Sequence, residues 1–267
     1  MDYLKIGKDK VPALGLGTWR MGGVEEPDYS KDEFYLQALK NAFDLGYRLV
    51  DTAEYYADGH AEELVGKALK NFPREEFFIT SKVWNNHLQY EDTLKAAKRS
   101  LARLQIKSID LYLIHWPNPL VPISETVKAL EKLVNDGFIR YIGVSNFSVK
   151  GLQEAIDSTE KYEIVANQVR YSILDREAER ELLPMAKKNN VRVIAYTPLE
   201  KGHLSNMILK DLALKYGKTP SQVALNYLIC KEALPIPKAT SKEHLLENLG
   251  AIGWKMRKKD VERISHM

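Results

Sequence analysis

Four ionisable side chains stand at or just beyond the ends of short apolar runs. Asp51 closes Leu49-Val50, and Tyr56 follows five residues later. Lys82 closes Phe77-Phe-Ile-Thr-Ser-Lys82, and His115 closes Ile109-Asp-Leu-Tyr-Leu-Ile-His115. Together these types can move a proton. A free phenol has a pKa of about 10, too weak an acid for fast donation near neutrality. A lysine ammonium beside it favours the phenolate and pulls that value down. An aspartate paired with the lysine keeps it charged and in place, and a histidine donor can hold a carbonyl oxygen against the phenol. Such a set would protonate an oxygen while a hydride reaches its carbon. A plainer reading gives Asp51 as a helix cap, Tyr56 as surface packing, Lys82 as a solvated strand end and His115 as a core histidine. Lys82 could also serve a lyase or aldolase as a Schiff-base amine.

The elements around these residues favour the first reading. Residues 3–17 form a hairpin with its turn at Gly7-Lys8-Asp9-Lys10. Strand-like runs then alternate with helical ones. Beginning with Ala13–Thr18, the strands are Leu49–Asp51, Phe77–Lys82, Ile109–His115, Ile139–Val144, Ile164–Val169, Arg192–Tyr196 and Ala233–Pro237. The intervening helices are Lys31–Leu45, Glu62–Leu69, Asp92–Leu104, Ser124–Asn135 capped by Ser124, Val149–Asp157, Arg176–Asn189, Leu209–Tyr216 and Ser221–Lys231. Glu243–Leu249 and Asp260–Ser265 close the chain. Eight strands alternating with helices over this length predict one (β/α)₈ barrel domain, residues 1–267. An open doubly wound sheet is the competing arrangement, but Gly15-Leu-Gly17 fails the dinucleotide fingerprint because its third glycine falls at Arg20. Barrel chemistry sits at the carboxyl ends of the strands. Those ends read Thr18-Trp19, Asp51, Lys82-Val-Trp84, His115-Trp116, Ser145-Asn146, Gln168, Tyr196 and Lys238. Trp19, Trp84 and Trp116 are candidates for an apolar substrate pocket.

Composition narrows the function classes. Of 267 residues, 45% are hydrophobic, enough for a full core, and the net charge is +3, with no basic tract that would make nucleic acid the main partner. Arg257-Lys258-Lys259 is short enough to be a solvated helix face. A single cysteine, Cys230, excludes an internal disulfide and reads as a buried thiol. No run has signal-peptide or membrane-span character, so a cytoplasmic protein is expected. Without H-x-H or H-E-x-x-H spacing a metal site is not expected, and His60, His87, His203 and His266 read as surface or loop residues.

The motifs Gly15-Leu-Gly-Thr-Trp19, Asp51-Thr-Ala-Glu with Tyr56, Ser81-Lys82, Leu113-Ile-His-Trp-Pro117, Gly143-Val-Ser-Asn-Phe147, Asn167-Gln168, Ala195-Tyr-Thr-Pro-Leu199 and Ile236-Pro-Lys238 occur in that order. In them the chain resembles the aldo-keto reductase superfamily over essentially its whole length. The resemblance implies a barrel closed below by the hairpin, and reversible carbonyl reduction with NADP(H) or NAD(H), without metal or flavin. By this likeness Tyr56 is the general acid, Lys82 tunes it, Asp51 pairs with Lys82, and His115 orients the carbonyl; the family spacing selects Tyr56 over Tyr55. Ser145, Asn146 and Gln168 would bind the nicotinamide carboxamide and Tyr196 would stack on its ring. Leu199 and the loop through Lys201 would cover the pyrophosphate, and Thr18, Trp19, Asp51 and Thr197 are also expected among the cofactor-binding residues. Lys238, Thr240, His244, Glu247 and Asn248 would surround the adenosine.

Three features depart from the family pattern. His244 stands where an arginine usually grips the adenosine 2′-phosphate, which weakens a preference for NADPH. Ala57-Asp-Gly59 replaces the usual glycine-led turn. The chain ends at Met267 without the long C-terminal loop of many relatives, so an open, permissive pocket is expected. A small carbonyl compound is the expected partner, with the protein a monomer or weak homo-oligomer. A nucleotide-sensing regulatory subunit on the same fold is the non-enzymatic alternative.

Overall fold

A computed structural model describes residues 2–204 and 206–266. Strands β1 (Tyr3–Ile6) and β2 (Asp9–Pro12) pair antiparallel, Ile6 opposite Asp9, so the turn is only Gly7-Lys8 and Asp9-Lys10 belong to the ladder. Gly7 takes the left-handed φ of +57° that so tight a turn demands.

Eight parallel strands follow: β3 (Leu16–Gly17), β4 (Leu49–Asp51), β5 (Phe78–Val83), β6 (Ile109–Ile114), β7 (Ile139–Ser145), β8 (Ile164–Arg170), β9 (Arg192–Tyr196) and β10 (Leu234–Pro235). Each pairs with the next in chain order. Gly15 N donates to Pro235 O at 3.0 Å and Gly17 N to Pro237 O at 3.1 Å, closing the first strand onto the last. The last strand is short because Pro235 and Pro237 have no N–H to give a ladder. The fold is a (β/α)₈ barrel.

Helices α1 (Asp32–Asp44), α2 (His60–Leu69), α3 (Tyr90–Leu104), α4 (Ile123–Asn135), α5 (Val149–Asp157), α6 (Leu182–Lys188), α7 (Met207–Tyr216), α8 (Pro220–Cys230), α9 (Lys242–Leu249) and α10 (Lys258–Ser265) occupy the connections and the C-terminal end. Helices α2, α3 and α7 each begin two residues earlier than expected, at His60, Tyr90 and Met207, and two others depart in kind. Arg176–Asn189 breaks into a 3₁₀ turn at Glu177–Glu179 and then α6, which puts Pro184 in a first turn where its missing N–H costs nothing. Helix α4 begins one residue before Ser124, with Pro122 at the cap position and no side-chain cap.

Side chains alternate across each strand. Leu49, Phe78, Leu111 and Leu113 point into the barrel, where they meet Val165, Ile194, Leu234 and Ile236, while Val50, Ile79, Tyr112 and Ile114 pack against the helices. Ile6 and Val11 of the hairpin join the inner cluster, and Asp9 pairs with Arg140 at 2.5 Å near the start of β7. The hairpin therefore plugs the end of the barrel at which the strands begin. Continuing the same alternation, by two residues from Leu49 and Leu113 and by four from Phe78, turns Asp51, His115 and Lys82 inward at the opposite end.

Candidate active site

Lys82 is completely buried, and its ammonium spends all three protons. It donates to Asp51 Oδ2 at 2.8 Å, to Thr52 O at 2.8 Å and to the Tyr56 hydroxyl at 3.0 Å. Burial alone would discharge it, but Asp51 and Tyr56 outweigh that and hold its pKa above the ordinary lysine value. The other Asp51 oxygen accepts from Gln168 Nε2 at 2.6 Å, so the carboxylate is satisfied on both sides. Sealed below the cavity wall with no free lone pair, Lys82 cannot attack a carbonyl. The Schiff-base reading fails on that geometry.

The phenol oxygen of Tyr56 accepts from Lys82, and no described residue takes its own proton, which is left for the cavity. Burial raises the Tyr56 pKa above that of a free phenol, and the Lys82 charge pulling downward does not overcome it. This corrects the expected net lowering: the ammonium acts in the anticipated direction, but desolvation is larger. The consequence is a phenol that keeps its proton at neutral pH, with a cation placed to stabilise the anion once the proton leaves.

His115 faces Tyr56 edge-on, ring centroids 5.6 Å apart, and packs against Trp84 at 5.0 Å. Burial, with Lys82 adding to it, holds its pKa well below the usual histidine value, so the imidazole is neutral. Nδ1 is buried without a partner, which leaves Nε2 to present the ring's proton to the cavity. The β7–β9 ends are knitted to it: Asn146, at the left-handed φ of +63° that asparagine tolerates, donates to His115 O and to Ser145 Oγ, both at 3.0 Å. Tyr196 OH donates to Asn146 Oδ1 at 2.9 Å, and Ser145 Oγ to Gln168 O at 2.9 Å.

These groups open onto a cavity of about 570 Å³. Asp51, Tyr56, His115, Ser145, Asn146, Gln168, Tyr196, Thr197, Leu199, Lys201 and Lys238 line it, and so do Trp19, Trp84 and Trp116. Thr18 does not; it is fully buried and its hydroxyl donates to Asp51 O at 3.0 Å. Thr240, His244, Glu247 and Asn248 lie beyond it, on the turn after β10 and on α9.

Sequence reasoning missed several wall residues. Tyr55, set aside in favour of its neighbour, stacks on Trp84 at 3.8 Å and lies parallel to Trp19 at 6.1 Å. Arg20 lines the cavity and, after partial burial, is the next cause of a lowered pKa at Lys238. Glu54 carried a signal, a carboxylate inside a motif otherwise assigned, but received no role; it is buried and accepts from Trp84 N at 2.6 Å. His60 is a further correction. Rather than a surface histidine it is buried, between Asp32 at 2.7 Å and Glu63 at 3.0 Å. Cys230 is half-buried at the end of α8 rather than in the core.

The Aldo/keto reductase family model matches residues 13–267. The chain belongs to the aldo/keto reductase family. A glyoxal reductase of Bacillus subtilis is 37% identical over 258 residues, covering 96% of this aldo/keto reductase and 88% of the relative. Among solved structures, a thermostable aldo-keto reductase in complex with the inhibitor epalrestat superposes with a TM-score of 0.97 at 46% identity, covering 100% and 99% of the two chains. An aldo/keto reductase from Klebsiella pneumoniae in complex with NADP and acetate gives 0.88 at 36% identity, over 98% and 93%.

Proposed function

We propose that this chain, read as one barrel domain, reduces small aldehydes and ketones with hydride from NADPH, with Tyr56 as the proton donor. The observation that carries this is the placement of the Tyr56 hydroxyl, 3.0 Å from the sealed Lys82 ammonium and on the wall of the cavity. The residues present fit a nicotinamide dinucleotide. Side-chain amides of Asn146 and Gln168 and the ring of Tyr196 line one part of the wall, while Arg20, Lys201 and Lys238 are cations on the same cavity. Partial burial, and after it the charge of Arg20, lower the Lys238 pKa, and an anionic phosphate between the two cations would relieve that repulsion. When bound, the nicotinamide supplies the hydride that the carbonyl carbon receives.

The chain's own residues do the rest. His115, neutral, donates through Nε2 to the carbonyl oxygen and fixes it near Tyr56. As negative charge grows on that oxygen, Tyr56 gives up its proton and Lys82 stabilises the phenolate left behind. Asp51 keeps Lys82 charged, and Gln168 keeps Asp51 aimed. Trp19, Tyr55, Trp84 and Trp116 supply an apolar wall that holds the body of the substrate and thins the water around the reacting oxygen.

The glyoxal reductase relative makes small dicarbonyls the first substrates to try. Following NADPH oxidation with methylglyoxal, an aromatic aldehyde, a 2-oxo acid and an aldose tests the reading directly. Turnover of at least one carbonyl is expected; none with any of them, despite measurable NADPH binding, would remove it and favour the regulatory alternative.

His244 sits at the third position of α9 with its backbone N–H on Ser241 Oγ at 3.2 Å and its side chain exposed. His244→Arg is expected to tighten NADPH relative to NADH by roughly tenfold through a charge-assisted contact to the 2′-phosphate. Dissociation constants for both cofactors check this. An unmoved ratio means that the residue does not face the phosphate.

A further inference from the structure

Behind the candidate site, away from the cavity, lies a charged cluster that the proton-transfer chemistry leaves unused. Glu62, on α2, is completely buried. Its Oε1 accepts from the hydroxyl of Ser81, the residue before Lys82, at 2.5 Å, and its Oε2 accepts from Arg103 Nε at 2.6 Å. Arg103 comes from the last turn of α3. Its guanidinium lies so close under Gly59 that a β-carbon there would come within 2.3 Å of Nε, and Gly59 adopts a φ of +87° that glycine alone takes easily. The other end of the guanidinium is 4.0 Å from Glu54 Oε2, which Arg99 also approaches at 3.5 Å, while Glu54 Oε1 takes the Trp84 amide at 2.6 Å and lies 3.1 Å from His87 Nδ1.

One cation thus reaches both ends of the segment 54–59, which carries Tyr55 and Tyr56, and joins them to Ser81 beside Lys82. That segment needs holding, because Ala57 and Asp58 both sit at left-handed φ, +51° and +48°. Left-handed backbone is costly for residues with a β-carbon and persists only where the surroundings enforce it. Only a planar fork can meet Glu62 along one edge and approach Glu54 with the other; a lysine ammonium offers a single point.

We infer that Arg103 is a positioning residue for the reaction: acting through Glu54 and Glu62, it fixes the Tyr56 hydroxyl against Lys82. The inference rests on the reading of Tyr56 as proton donor. None of Arg103, Glu54 and Glu62 lines the cavity, so removing the cation deletes no atom of the cofactor and substrate walls.

The test compares Arg103→Met and Arg103→Lys with the parent at a temperature where circular dichroism shows each folded. A misplacement of about 1 Å at the reacting atoms costs on the order of 100-fold in rate, so kcat of Arg103→Met is expected to fall about 10- to 100-fold while the NADPH dissociation constant stays within about threefold. Arg103→Lys is expected to recover part of that loss, because it restores the charge on Glu62 without the bridge to Glu54. A parent-like kcat in folded Arg103→Met, with only a lower melting temperature, overturns the inference. Should Arg103→Met not fold, Arg103→Gln serves in its place: it keeps a donor for Glu62 and drops the cation that reaches toward Glu54. A lowered kcat with unchanged NADPH binding supports the inference, and an unchanged kcat overturns it. Tyr56→Phe, run alongside, separates the two claims. If it too keeps full turnover, the proton-donor reading has failed; if it is inactive while Arg103→Met is normal, only the positioning role has.

Discussion

Lys82→Met is expected to lower carbonyl reduction by about 100-fold or more and to displace its pH dependence upward. The methionine fills the same apolar shaft but gives no proton to Asp51 Oδ2, Thr52 O or Tyr56. Without the ammonium, the phenolate that forms as Tyr56 donates has no counter-charge and faces the Asp51 carboxylate instead. Both changes raise the Tyr56 pKa further above its already raised value. The sign follows directly. Reduction uses the protonated phenol, which is present below its pKa and lost as pH rises through it, so the alkaline limb of the reduction profile moves to higher pH. Alcohol oxidation uses the phenolate and loses more than reduction at any one pH. An alkaline limb that stays in place would show that Lys82 does not act on the phenol. The same substitution strands a buried carboxylate, and breaking such a pair costs about 3–5 kcal/mol. For a chain of this size that is a fall of roughly 10 °C in melting temperature.

How much of this was legible in the sequence depends on how local the cause is. Period-two alternation carries Leu49 to Asp51, Phe78 to Lys82 and Leu111 to His115, so the inward direction of three site residues at the carboxyl ends of three neighbouring strands follows from the strands alone. The barrel follows from repeated alternation of strand and helix. What depends on contacts between distant segments did not show. Arg103 reads as one more charge on an amphipathic helix until α3 and α2 are packed and Glu62 lies 2.6 Å away. His60 looks like a loop histidine until α1 brings Asp32 to it. The direction of the Tyr56 pKa needed the competition between burial and a cation to be weighed, and residue types give only the cation. The break before α6 was visible in Pro184, but only once the proline's missing donor is set against a continuous helical ladder.

The central claim is that the proton delivered to the substrate oxygen comes from Tyr56. Tyr56→Phe removes one oxygen and keeps the ring that packs against Trp19 at 4.9 Å and His115 at 5.6 Å. Binding surfaces for cofactor and substrate are thereby preserved, while the proton and the Lys82 contact are lost. Loss of a positioned general acid costs about 10²- to 10⁴-fold in rate. The decisive measurement is single-turnover oxidation of enzyme-bound NADPH by saturating methylglyoxal, or by whichever carbonyl the parent turns over fastest, in the parent and in Tyr56→Phe. The account predicts NADPH binding within about threefold of the parent and hydride transfer slowed by about 10²-fold or more. Hydride transfer at the parental rate in Tyr56→Phe would contradict it.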